Sequence, residues 1–159
     1  MVNCQSISCN NRVPFCCQII VPAHLDIVCT PPEITFDPNC LTTIIGTCEE
    51  SIDVTDPCNS EQQIECNAEL TTISAVGSIP YLVAIEVQNS CEQITYLCCQ
   101  DTVCVNQVMN IKCPEEDQLC FINECEISID ADKEIMDSEL CVDEQIVTIQ
   151  GEFILPPCI

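Results

Sequence analysis

The stretch LTTISAVGSIPYLVAIEV, Leu70 to Val87, is apolar, β-branched and partly alternating, without the three-to-four spacing of an amphipathic helix. It predicts two strands, Leu70–Val76 and Ile79–Val87. Segments of the same character flank it: Leu41–Ile45 before, then Gln93–Cys99, Thr102–Ile111 and Gln145–Leu155. Shorter candidates surround Phe15, Cys29, Ser51, Gln63, Leu119 and Glu126. No segment reads convincingly as a helix, the nearest being Asp130–Leu140. Many strands at short spacing without intervening helices predict an all-β fold, an antiparallel β-sandwich of jelly-roll-like form.

Eighteen of the 159 residues are cysteine. That density ordinarily marks a small scaffold held by disulfides, yet a 47% hydrophobic chain of this length can bury a core unaided. Most of the cysteines therefore exceed what folding requires, and the surplus suggests cross-linking between chains. The 26 Asp and Glu residues face only Arg12, Lys112 and Lys133, for a net charge of -23. Such a surface repels phosphate backbones and anionic lipid, which excludes nucleic-acid and membrane-surface roles. Abundant Ile, Val and Leu argue against disorder.

Consecutive prolines at Pro31-Pro32 stiffen the chain and cannot continue a ladder, so residues 1–31 are expected to be an N-terminal arm and 32–159 the sandwich body. With glycine only at positions 46, 77 and 151, turns must rely on Asn, Asp, Ser and Pro. Residues 113–144 hold 12 of the 26 carboxylates and read as solvated loops and strand edges. No run of 18 apolar residues exists, so no membrane insertion is expected. The opening MVNCQSISCNNRVPFCC lacks a basic segment followed by an apolar one, and no Sec signal peptide is expected. Oxidised cysteines in a chain made inside a cell are reconciled by release on lysis, giving an extracellular location.

Neither Cys-x-x-Cys nor Cys-x-Cys occurs, which removes the thioredoxin-type motif, the commonest zinc knuckle and the thiolate-cluster hallmark. Cys-x4-Cys spacings at Cys4/Cys9, Cys99/Cys104 and Cys120/Cys125 are tolerable for zinc but arise readily by chance. The adjacent pairs Cys16-Cys17 and Cys98-Cys99 are more informative. Successive strand side chains point to opposite faces, so one sulfur can face the core while its neighbour faces outward. Intrachain bonding is the ordinary reading of Cys98-Cys99; for Cys16-Cys17, in the expected arm, bonding between subunits is favoured. Cys158 stays open between the two.

Within VPFCCQIIVPAHLDIVC, an apolar Val13, two residues, Cys16-Cys17, eleven residues and Cys29 form a pattern that resembles the N-terminal connector of the endospore appendage (Ena) subunits of spore-forming bacteria. The resemblance implies a jelly-roll body, a helical fibre on the spore surface, and intersubunit disulfides at Cys16, Cys17 and Cys29. Cys4 and Cys9 precede the motif and join Cys158 as further candidates. The terminus GEFILPPCI lacks the tyrosine that the family carries after its last cysteine.

His24 is the only histidine, and its place between Ala23 and Leu25 fits a structural role better than a catalytic one. Three scattered glycines cannot build a phosphate loop. Asp130, Asp132 and Glu134 alternate as in an EF-hand, but Ile135 and Cys141 stand where Gly and Glu are required. Loose divalent-cation binding by the acidic surface would screen repulsion between copies. The resulting expectation is a non-enzymatic structural subunit without cofactor or dedicated metal site, polymerising with copies of itself. A monomeric metal-sequestering protein is the alternative.

Overall fold

The computed structural model describes residues 2–113, 122–137 and 143–157, side chains 136 and 137 excepted. Among the described residues eight strands run β1 (Arg12–Val21), β2 (Asp26–Ile27), β3 (Glu33–Phe36), β4 (Thr42–Asp56), β5 (Asn59–Gln88), β6 (Ile94–Lys112), β7 (Ser128–Asp137) and β8 (Gln145–Ile154). They form two antiparallel sheets packed face to face, the all-β sandwich that the strand pattern predicts. One sheet is β1-β8-β7. The other is built on β5, which pairs β6 along one edge and β2, β3 and β4 in succession along the other.

Leu70–Val76 and Ile79–Val87 are not two strands but parts of one, β5. Pro80 is accommodated because a strand residue's N–H and C=O point to the same side. The Pro80 carbonyl accepts from Asp37 N–H at 3.0 Å, so its ring nitrogen faces the gap between β3 and β4, where no ladder bond is lost. Gly77, at φ 133°, lets the Cys40 carbonyl pass where a Cβ would lie 2.0 Å from its oxygen. Residues 130–137 of the segment nearest to a helix by sequence belong to β7, because Ile129 and Ala131 alternate with Asp130 and Asp132 at period two. The remainder of that segment, 138–140, lies outside the described residues.

The segment expected to be an arm contains a long strand. Residues 12–21 are β1, paired along their whole length with β8, and Val13, Phe15, Cys17, Ile19 and Val21 are all buried. An alternating decapeptide buries five side chains at roughly 1.5–3 kcal/mol each, which outweighs whatever boundary two prolines impose ten residues later. Phe15, Tyr81 and Phe153 stack at centroid distances of 4.7 to 5.7 Å, and Phe36 closes on Phe153 at 5.3 Å. The proline segment is itself pinned to the body: Lys133 Nζ donates to the carbonyls of Val28 and Thr30 at 3.3 and 2.9 Å.

Beyond Thr71, where β6 pairing ends, β4 and β5 continue as a two-stranded ribbon to the turn at Pro57-Cys58. Eight residue steps from Cys48 to Asp56 carry it about 27 Å from the body. Its base is clipped by the N-terminal segment. Glu49 N–H donates to the Val2 carbonyl, and Cys4 is bonded to Cys48.

Candidate functional site: the outward-facing cysteines

The two intrachain disulfides among the described residues close the body at two levels. Cys4–Cys48, at a Cα separation of 5.2 Å, ties the N-terminus to the base of the ribbon; Cys17–Cys99, at 6.3 Å, ties β1 to β6 across the sandwich. Closing loops of 44 and 82 residues restricts the unfolded chain by about 4 kcal/mol each in the chain-entropy treatment. Cys4 and Cys17 are two of the intersubunit candidates, and in this structure each is paired within the chain for a local reason: Cys17 occupies an inward position of an alternating strand, and the N-terminal segment runs alongside β4.

Strand alternation then settles the two adjacent pairs. Their inward members, Cys17 and Cys99, bond each other, while Cys16 and Cys98 are exposed free thiols on the outer faces of the two sheets. The sandwich thus carries a thiol on each outer surface. Cys16 lies in an open cleft of about 540 Å³ on the β1-β8-β7 sheet, lined also by Pro14, Asp130, Asp132, Gln150 and Glu152. Arg12 donates to Glu152 at 2.6 Å at the rim, and the carboxylate holds the guanidinium pKa above its usual value. Behind the cleft, Tyr81 donates its hydroxyl to the Cys16 carbonyl at 3.3 Å. Its pKa is raised by burial, with Asp101 and Cys16 contributing in the same sense.

Three further thiols each follow an Asp or Asn by two positions, Cys58 and Cys91 in hairpin turns and Cys125 in the short 3-10 helix Glu124–Glu126. Asp56 accepts from Cys58 N–H at 2.8 Å, Asn89 from Cys91 N–H at 2.9 Å, and Asn123 from Cys125 N–H at 3.2 Å. In the first two the Asx turn supplies the reversal that glycine would otherwise provide, in the third Asn123 caps the 3-10 helix, and in all three the cysteine two residues on is exposed. The pattern Asx-x-Cys is visible in the sequence and carries a signal that the cysteine spacing does not. Cys9 borders an open groove with Met109, Asn110 and Pro157, and Cys29 lies in the loop after β2; both are exposed free thiols, as are Cys40, Cys66, Cys104 and Cys113. Cys158 lies outside the described residues.

Among the described residues no three Cys, His, Asp or Glu side chains converge as metal ligands. Cys4 and Cys99, members of two Cys-x4-Cys spacings, are committed to disulfides. His24 is exposed in the turn between β1 and β2. No helix among the described residues is long and apolar enough to cross a membrane.

The fold and its cysteines define a disulfide-stapled β-sandwich with free thiols on both faces and at its turns. No protein-family model, curated protein or solved structure matches the chain.

Proposed function

We propose that this chain is a non-enzymatic structural subunit that assembles with copies of itself into a disulfide-cross-linked extracellular fibre, a jelly-roll-like brick of the kind endospore appendages are made from. The observation that carries this reading is the partition of the cysteines. The body closes with four of them, while eleven others among the described residues are free and exposed. Buried free cysteine would be ordinary core filling; exposed free cysteine in this number is surface chemistry. Thiols on opposite faces, Cys16 and Cys98, favour head-to-tail contacts, and a heterologous contact that does not close into a ring propagates into an open filament. Cys9, Cys16 and Cys29 remain the N-terminal linkers of this proposal, now held on or beside a fixed strand instead of a loose arm.

The test is electrophoresis of purified protein, alkylated to cap free thiols, with and without reductant, followed by negative-stain microscopy of the unreduced sample. A reductant-sensitive ladder with visible fibres, weakened in a Cys16→Ser, Cys98→Ser double variant, is the expected result. A monomer with most thiols alkylated would overturn the reading.

A further inference from the structure

The projecting ribbon is amphipathic in a way that neither strand shows alone. Antiparallel register places Cys48 opposite Leu70, Glu50 opposite Ala68, Ile52 opposite Cys66 and Val54 opposite Ile64, so these eight side chains share one face. The other face carries the pairs Glu49/Glu69, Ser51/Asn67, Asp53/Glu65 and Thr55/Gln63. Four of the five carboxylates on these eight pairs therefore lie on one side and only Glu50 on the other. On the apolar side Ile52, Val54 and Ile64 are 42%, 37% and 40% exposed, and Cys66 is an exposed free thiol in their midst.

A two-stranded ribbon is marginal by itself in water, and beyond the base that the Cys4–Cys48 bond covers this one leaves the outer part of its apolar face, Ile52, Val54, Ile64 and Cys66, uncovered among the described residues. We propose that this face docks on the same face of a second copy of the chain, closed by a Cys66–Cys66 disulfide. The inference deepens the fibre reading and rests on its premise that surface thiols link copies. Three observations select a second copy as the occupant. Self-docking turns the four-carboxylate faces of both ribbons outward and leaves Glu50, set against Val54 of the other copy at the edge of the contact, as the one carboxylate that each ribbon brings to it. With the twofold axis between the ribbons and across the strands at the Ile52/Cys66 row, Cys66 faces Cys66 and Ile64 lies over Ala68, large on small. Sheets are bridged in just this manner inside the body, where Cys17–Cys99 joins two packed sheets at a Cα separation of 6.3 Å.

Size says why the thiol matters. A face about 25 Å by 10 Å buries on the order of 500 Å² over both partners, below the ~1,200 Å² of stable standard interfaces. Contact alone is insufficient, so the covalent bond holds the pair and the apolar face selects which thiols meet. The step is thiol–disulfide exchange with a small disulfide such as oxidised glutathione. Two Cys66 thiolates displace two glutathione thiols in sequence, one S–S bond forms as one is broken, and the small disulfide takes up the two electrons and the protons.

The full chain is oxidised with oxidised glutathione, alkylated and digested with a Glu-specific protease. Cuts after Glu65 and Glu69 release Cys66 on a four-residue peptide, Cys66-Asn67-Ala68-Glu69, whose self-linked form has a unique mass. The proposal expects that peptide as the main Cys66 product, lost in Cys66→Ser and reduced at least tenfold in Ile64→Asp, an exposed site where folding is not at stake. Cys66 found alkylated, bonded to a different cysteine, or self-linked equally well in Ile64→Asp would overturn it. The two readings separate cleanly. A ladder without the Cys66 link removes the ribbon contact and leaves the fibre, whereas a product that stops at the Cys66-linked dimer keeps the contact and removes the fibre.

Discussion

At Gly77 a single missing Cβ lets the turn before β4 cross the central strand. Gly77→Ala brings a methyl group to within 2.0 Å of the Cys40 carbonyl oxygen at a φ that L-residues avoid, and the atom it meets is backbone, which cannot rotate away. A loss of about 2–3 kcal/mol is expected, read as a lowered midpoint in denaturant unfolding. Tyr81→Phe removes the hydroxyl donated to the Cys16 carbonyl and is expected to cost about 1 kcal/mol. Its pH dependence has a definite sign. The folded pKa of Tyr81 is raised, so the fold favours the neutral phenol; that contribution is complete below the unfolded value near 10 and is lost as pH rises through the higher folded value. Tyr81→Phe flattens that alkaline decline in thermal melts. Neither feature was legible in the sequence, where Gly77 falls between two expected strands and nothing marks the partner of Tyr81; which segment approaches Gly77 is decided by chain reversal some forty residues upstream.

At the level of elements, the ribbon formed by β4 and β5 is the part whose stability is most open to change. Glu49 faces Glu69 and Asp53 faces Glu65 directly across the strands, and Ser51 donates to Glu65 beside them. Like charges opposite one another destabilise a pair, so Asp53→Lys is expected to stabilise the ribbon by about 0.5–1 kcal/mol. Amide hydrogen exchange, slowed in residues 50–67 and unchanged in β1 and β8, checks it. Strand identity along these segments was readable from β-branched runs. Their lengths were not. Residues 59–69 read as a short candidate around Gln63, because polar Glu, Gln and Asn interrupt the apolar pattern; they are strand because pairing with β4 satisfies their backbone groups, whatever their side chains. β1 shows the reverse case. Its alternation predicts a half-buried strand, but the prolines after it suggested that the strand belonged elsewhere, and only the partner β8, more than a hundred residues later, resolves where it packs.

For the whole molecule the controlling quantity is the charge of -23 that any assembly must bring together. Repulsion between copies is screened over about 10 Å at 0.1 M salt and about 3 Å at 1 M. Assembly of the oxidised protein is therefore expected to quicken markedly between 0.05 and ~0.5 M sodium chloride, followed by light scattering; slower assembly at high salt would mean that attractive ion pairs hold the copies together. Millimolar calcium is expected to act similarly at lower ionic strength, as a screening counterion instead of a ligand in a formed site.

Composition, periodicity and charge by themselves determined the all-β class, the sandwich, the reliance on Asx turns and the excess of cysteine over the needs of folding, because these properties are local or additive along the chain. Tertiary structure alone decided which sulfurs are spent inside the body and which face outward. That outcome depends on strand register, where a shift of one residue exchanges Cys16 for Cys17 and Cys98 for Cys99, and register is set by partners far apart in sequence. The amphipathic ribbon has the same origin: Ile52, Val54, Ile64 and Cys66 become one surface only when a turn at residues 57–58 lays two separate segments side by side.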